Sequence, residues 1–235
     1  MTDFQAPISR GQTLVWTGMP AANCWLREQR NGCAYLKPTL LHGINATLIV
    51  QCGMFFDGLL ASALTSAMPY PEDVNTADAR LVAEYHDRVH REYTFFKNTK
   101  LFKIVTGKTL SELMLNDGRW QSLKVLFDFR NGLAHGRLIE FRVYFDKATD
   151  HYEPDFSGNY AVVEKYLLEK KLLNATVKAT GRGWPFLESQ IADHFCELMQ
   201  PLAYDIVGFF PDGDAAKYLR SVLENAFTKR PSGGK

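Results

Sequence analysis

The sequence has almost no net charge. It carries 27 lysine and arginine residues against 26 aspartate and glutamate residues, a formal charge of +1 over 235 residues. A protein that holds nucleic acid along its whole surface needs a large positive charge, so that class is excluded, and any RNA contact must come from local patches. With 46% hydrophobic and 23% charged residues the chain is globular, and its length predicts one domain with a sizeable core.

Signatures of metals, cofactors and secretion are also missing. The four cysteines include no C-x-x-C pair, which argues against a zinc ribbon. His86 and His90 have the i, i+4 spacing of two metal ligands, but no third ligand is indicated. The sequence has no glycine-rich phosphate loop, and the opening MTDFQAPISR lacks the apolar stretch of a signal peptide. We therefore expect a cytoplasmic protein with no metal and no cofactor.

Hydrophobic periodicity predicts a mainly α-helical bundle. Residues 1–38, which hold three prolines among several glycines, are predicted to be an irregular arm, 39–228 the helical domain and 229–235 a disordered tail. Alternation from Ile139 to Phe145 predicts a small β-hairpin near 139–158. The helices are expected at about 39–68, 76–98, 109–115, 117–138, 161–174, 185–209 and 213–227.

The segment 39–68 is the most apolar in the chain and is long enough to span a bilayer. Its one formally charged residue is Asp57, and no flanking basic cluster or aromatic belt accompanies it. An Asp inside a membrane helix costs about 2.5–3.5 kcal/mol. We therefore expect a buried central helix and no membrane contact.

The strongest functional signal is the sequence Arg130-Asn131-Gly132-Leu133-Ala134-His135. On an ideal helix Arg130 lies near the middle of the apolar face, and Asn131 and His135 lie on the polar edge, four residues apart, so the Asn could orient the imidazole. Arg130 and His135 are about 140° apart, and they would converge better if Gly132 loosened the turn or if a second copy of the helix packed alongside.

A guanidinium on a packing face needs a partner, as does a carboxylate in an apolar helix. We therefore predict that Asp57 pairs with Arg130 and holds it. A structural interpretation of the same residues stays open, with Arg130 as an ion-pair residue and His135 as a helix-end cap.

An apolar helix that leads into Arg-Asn-x-x-x-His resembles the HEPN superfamily, whose ribonuclease signature is an Arg, four to six residues and a His. The resemblance extends over about residues 39–138. It implies a helical bundle that forms a homodimer with the motif at the interface, and metal-independent cleavage of RNA to 2′,3′-cyclic phosphate and 5′-hydroxyl ends. In this scheme Arg130 and His135 are catalytic, because a cation stabilises the phosphorane charge and an imidazole moves protons near neutral pH. Asn131 and Asp57 support them.

Such proteins are commonly toxins, stress effectors or anti-phage effectors, and the resemblance implies an antitoxin or another regulatory protein as a partner. In one toxin–antitoxin branch a modified tyrosine follows the motif as His-x-Tyr, whereas this chain continues His135-Gly136-Arg137. Arg137 and Lys124 are predicted RNA contacts. The alternatives are a catalytically silent HEPN-like module that binds RNA, a nucleotide or a protein, and a helical scaffold in which the motif is coincidental.

Overall fold

The fold is mainly α. A computed structural model of the chain describes residues 15–33, 35–68, 71, 74–92, 94–114, 118–135, 141–146, 148, 151–156, 159–173 and 185–228. Within these residues the helices are α1 (Met19–Gly32), α2 (Pro38–Ala67), α3 (Ala77–Glu92), α4 (Phe95–Thr106), α5 (Leu110–Leu113), α6 (Arg119–Ala134), α7 (Asn159–Glu169), α8 (Ser189–Gly208) and α9 (Asp214–Thr228). Two 3-10 turns, Val15–Gly18 and Pro185–Leu187, precede α1 and α8.

Helix α2 forms the centre of the bundle and packs against α1, α4, α6, α8 and α9. Its most apolar window has a mean hydropathy of 1.6, so by length and composition it could cross a membrane, but 67% of that window is buried inside the protein. Leu48, Phe55, Phe56 and Leu60 are fully buried. This burial is what the apolar composition of 39–68 predicts for a central helix of a bundle.

The prediction of an irregular arm over residues 1–38 is wrong from Val15 to Gly32, which form a 3-10 turn and helix α1. Pro20 lies in the first turn of α1, where its missing N–H leaves no hydrogen bond unmade, so it starts the helix. Trp16 is buried, and its Nε1 donates to Ser62 Oγ of α2 at 2.8 Å. The segment is therefore part of the core.

The single helix predicted over 76–98 is also wrong, because α3 ends at Glu92 and α4 begins at Phe95. Thr94 between them has extended backbone angles (φ −115°, ψ 133°). The first free N–H of α4, on Phe95, donates to Asp57 Oδ1 of α2 at 2.7 Å. A carboxylate from another helix therefore satisfies the new helix start.

Helix α6 ends earlier than predicted, at Ala134 and not near Leu138. Its last turn closes with a hydrogen bond from the His135 N–H to the Asn131 carbonyl at 3.2 Å. Helix α6 is buried on more than one side, because Leu123, Val125 and Phe129 are all fully buried. Phe129 packs edge-on against Tyr160, Phe186 and Phe195.

Two strands, β1 (Phe141–Asp146) and β2 (His151–Phe156), follow α6 within the segment where alternation predicts a hairpin. They pair antiparallel, with Phe141 opposite Phe156 and Asp146 opposite His151. Helix α7 begins three residues after β2 and packs on α6. The predicted disordered tail, 229–235, lies outside the described residues.

Candidate active site

The Arg130 side chain packs against Gly53 of the central helix α2. A Cβ on Gly53 of α2 would lie 2.8 Å from Arg130 Cγ and 3.2 Å from its Cβ, closer than side chains tolerate. The backbone of α2 therefore approaches α6 at this point more closely than any other residue would allow. The close approach puts the aliphatic part of Arg130 between two helices and carries its guanidinium to the edge of their interface.

Two neighbouring residues hold the guanidinium. Arg130 Nη2 donates to Asp57 Oδ2 at 2.9 Å, and Nη1 donates to Asn131 Oδ1 at 2.8 Å. The predicted contact between Asp57 and Arg130 is thus confirmed. The Arg130 side chain keeps 22% of its surface exposed, and its buried Nε makes no hydrogen bond to any described residue. Each Nη carries a second N–H, so the group retains donors that could meet a phosphate.

Asp57 links this site to the start of α4, because one carboxylate oxygen accepts from Phe95 and the other from Arg130. Burial raises the pKa of Asp57 to about 6, while the Arg130 charge and the Phe95 hydrogen bond act against that rise. At neutral pH the carboxyl is therefore mostly ionised and paired, and in mild acid it takes up a proton.

His135 is exposed and lies at the C-terminal cap of α6. The prediction that Asn131 orients the imidazole is corrected, because the Asn131 side chain accepts from Arg130 and makes no hydrogen bond with the His135 side chain. Gly132 does not loosen the turn, since α6 runs through it to Ala134, so this route to convergence of Arg130 and His135 is not used. Gly132 is buried against Tyr160 of α7, whose Cζ would lie 2.9 Å from a Cβ at this position. The glycine therefore allows α7 to approach α6.

The polar edge of α6 carries further charged groups. Lys124 is exposed, as its predicted RNA contact requires. Burial raises the pKa of Asp128, and the charge of Lys124, one turn away, acts against this rise. Arg137, the other predicted RNA contact, lies outside the described residues.

No metal site forms among the residues that the structure describes, where His, Cys, Asp and Glu nowhere gather in groups of three or more. The His86 ring Nε2 is hydrogen-bonded to the Met68 carbonyl oxygen at the end of α2. The His90 side chain lies outside the described residues. The ring nitrogen of His86 that faces the protein is therefore engaged by the backbone.

A chain of hydrogen bonds links α6, α7 and α8. The Tyr166 hydroxyl lies 2.8 Å from Ser122 Oγ and 2.8 Å from His194 Nε2, and Ser122 Oγ donates to the Gly118 carbonyl oxygen. Burial raises the pKa of Tyr166 and lowers that of His194. Tyr166 also lines a cavity of about 560 Å³, together with Gln121, Ala161, Val162, Lys165 and Glu169. Sequence periodicity carries no signal for this group, because its three side chains come from three helices.

Comparisons of the chain with protein-family models, with curated proteins and with solved structures find no match. The assignment of a function therefore depends on the motif of α6 and on the geometry that surrounds it.

Proposed function

We propose that this protein is a metal-independent endoribonuclease of the HEPN type, which acts as a homodimer in the cytoplasm. The observation that supports it best is the position of Arg130. Its guanidinium is held by Asp57 and Asn131 at the edge of the α2–α6 interface, with part of its surface exposed. An exposed imidazole, that of His135, follows at the end of the same helix.

The chemistry assigned to these groups is transfer of a phosphodiester to the neighbouring 2′ oxygen. An imidazole takes the proton of the ribose 2′-hydroxyl, and the 2′ oxygen attacks phosphorus. The charge that develops on the phosphorane oxygens is stabilised by Arg130. A second proton donor protonates the departing 5′ oxygen, which leaves a 2′,3′-cyclic phosphate and a 5′-hydroxyl end.

A dimer would supply that second donor. Within one chain, positions 130 and 135 are about 140° apart on an ideal helix, so the two side chains leave the helix in different directions. Two copies of α6 packed side by side would place two imidazoles and two guanidinium groups in one cleft. We propose such a homodimer, with a role as a toxin, stress or anti-phage effector and a regulatory partner protein.

The test is cleavage of total RNA by the purified protein in excess EDTA, with analysis of the product ends. His135→Ala is the decisive variant, because His135 is exposed and its loss should leave the fold intact. His42→Ala, which changes a half-buried histidine near the start of α2, is the matched control. We expect cyclic phosphate ends from wild type and His42→Ala, and at least a hundredfold less cleavage from His135→Ala.

A catalytically silent binding module is the second candidate. It is favoured by the same ion pair, since a partly buried Asp57–Arg130 bridge is also what a purely structural arginine would form. Failure of the purified wild type to cleave any RNA, together with RNA binding that Lys124→Ala weakens, would support this candidate. Cleavage that persists in His135→Ala would overturn the assignment of the site.

A further inference from the structure

Two cysteines from different helices lie in contact with each other beside α1. Cys52 Sγ of α2 lies 3.7 Å from Cys196 Sγ of α8. Cys52 also contacts Met199 Sδ at 3.3 Å, and Asn23 Nδ2 of α1 donates to both of those sulfurs. The two thiols are in van der Waals contact, and the helices that carry them pack together along the bundle.

The two thiols differ in their solvent exposure and in the charged residues that lie near them. Cys52 is fully buried, whereas Cys196 is only partly buried. Arg27 Nε pairs with Asp193 at 2.6 Å and Arg30 Nη2 with the same carboxylate at 2.8 Å, three residues before Cys196 on α8. The hydrogen bond with Cys52 lowers the pKa of Cys196, as do the charges of Arg27 and Arg30, against the opposing effects of burial and of the Asp193 charge. Burial raises the pKa of Cys52.

We propose that Cys52 and Cys196 form a peroxide-sensitive thiol pair, which closes to an intramolecular disulfide between α2 and α8. The accessible Cys196 thiolate attacks a peroxide oxygen and breaks the O–O bond, which yields a Cys196 sulfenic acid and, after protonation, water. Cys52 sulfur then attacks the Cys196 sulfur and expels a second water, and its thiol proton leaves with that water. The two thiols lose two electrons and hydrogen peroxide gains them.

The remaining cysteines lack these features. Cys24 and Cys33 are both exposed, and neither has a second cysteine sulfur in contact in the part of the chain that the structure describes. Exposure alone makes a thiol accessible, but reaction with peroxide follows thiolate character, and disulfide closure needs a second sulfur within reach. The structure therefore distinguishes one pair of thiols in contact with each other from two exposed thiols that have no cysteine beside them.

The test is exposure of the reduced full-length protein to hydrogen peroxide, followed by alkylation of the remaining thiols and peptide mapping without reductant. We expect a Cys52–Cys196 cross-link within one chain and no disulfide between chains. Cys24 and Cys33 should still be alkylated. The same cross-link should form in the double variant Cys24→Ser, Cys33→Ser. Oxidation of Cys24 or Cys33 while Cys52 and Cys196 remain alkylated would overturn the proposal, as would disulfides that join two chains.

Two further variants test the roles of the residues. In Cys52→Ala the resolving thiol is absent, so Cys196 should accumulate as a sulfenic acid that dimedone traps, whereas wild type should show little adduct. Arg27→Gln should slow disulfide formation by about 3- to 10-fold, because loss of the cation reduces the thiolate fraction of Cys196. Equal dimedone labelling of wild type and Cys52→Ala would contradict a resolving role for Cys52. If that variant fails to fold, the peptide mapping of the oxidised wild-type protein still tests the proposal.

Discussion

At the scale of single residues, Asp57 and Arg130 depend on each other. Each carries a charge at the interface where α2 packs against α6, and each is more than three-quarters shielded from solvent. Removing one partner of such a pair leaves the other as an uncompensated charge. The free energy lost in this way is larger than the stability that the intact pair contributes. The motif arginine is therefore a structural residue as well as a candidate catalytic one, and its variants must be interpreted with both roles in mind.

Arg130→Ala is expected to lower the free energy of unfolding by about 3 kcal/mol, because it leaves Asp57 buried without its cation. His135→Ala should change that free energy little, since the side chain is exposed. Denaturant titration of the two variants beside wild type measures both effects. An Arg130→Ala protein as stable as wild type would show that Asp57 does not depend on its cation.

The stability of the protein should also depend on pH through Asp57. In the folded state the pKa of this carboxyl is about 6, against an ordinary value of 3.8. Between these values the folded protein binds the extra proton, so the contribution of the group to the free energy of unfolding falls as pH rises. At about 1.36 kcal/mol per pKa unit, the total is about 3 kcal/mol.

Asp57→Asn removes this titration. The free energy of unfolding of wild type, minus that of the variant, should be smaller at about pH 7 than at about pH 4. Denaturant titrations of both proteins at the two pH values provide the measurement. A difference that stays constant or grows with pH would mean that the ion pair outweighs burial and that the pKa of Asp57 is not raised.

At the scale of the elements, the glycines of α2 serve different purposes. Gly43 has open space where a Cβ would be, whereas a Cβ on Gly53 would press against the stem of Arg130. A glycine in the middle of a helix is unfavourable relative to alanine, so one that persists against a neighbouring helix is explained by the close approach it permits. The position of Arg130 thus depends on a glycine, Gly53, at this point of α2.

Gly43→Ala and Gly53→Ala form a matched pair on one helix. The first should raise the free energy of unfolding by about 0.5–1 kcal/mol through helix propensity. The second should lower it by about 1–3 kcal/mol through overpacking against Arg130. It should also reduce RNA cleavage if the proposed function is correct. Equal stabilisation by both substitutions would show that α2 and α6 are not in close contact at Gly53.

At the scale of the whole molecule, a polar network fastens the N-terminal helix to the bundle. Arg30 is buried, and its Nη2 donates to both oxygens of Asp193 at 2.8 Å while Nη1 donates to Asn45 Oδ1 at 2.9 Å. Asn45 Nδ2 in turn donates to the Leu187 carbonyl oxygen at 2.8 Å. Helices α1, α2 and α8 are thus joined by groups that satisfy one another, which favours a single arrangement of the three.

Arg30→Ala should therefore lower the free energy of unfolding by about 3 kcal/mol, because Asn45 Oδ1 loses its donor in a buried site and Asp193 keeps only Arg27 as a cationic partner. Arg220→Ala is the control, since Arg220 pairs with an exposed carboxylate, Asp212, and should have little effect. Thermal or denaturant unfolding of the two variants tests this difference. Similar stability of both would mean that α1 is not an integral part of the folded core.

Several features of this protein can be predicted from local sequence patterns. The apolar composition of 39–68 predicts the central helix, and the Thr109–Glu112 spacing predicts a capping box that the structure contains. The Asp57–Arg130 contact was also predictable, because Asp57 is the one formal charge of an apolar segment and Arg130 lies on the apolar face of its helix, so each requires an opposite charge. In each case the information lies in the composition, or in spacings of a few residues, which set local geometry directly.

Long-range partners account for what the sequence could not reveal. The break at Thr94 follows from a carboxylate that arrives from α2, and α1 belongs to the core because the main partner of Arg30, Asp193, lies 163 residues further along the chain. Nor does any periodicity indicate that Asn131 turns to Arg130, or that Cys52 meets Cys196. Helical periodicity specifies which face of a segment is buried, but the residue that meets that face is chosen only when the helices pack.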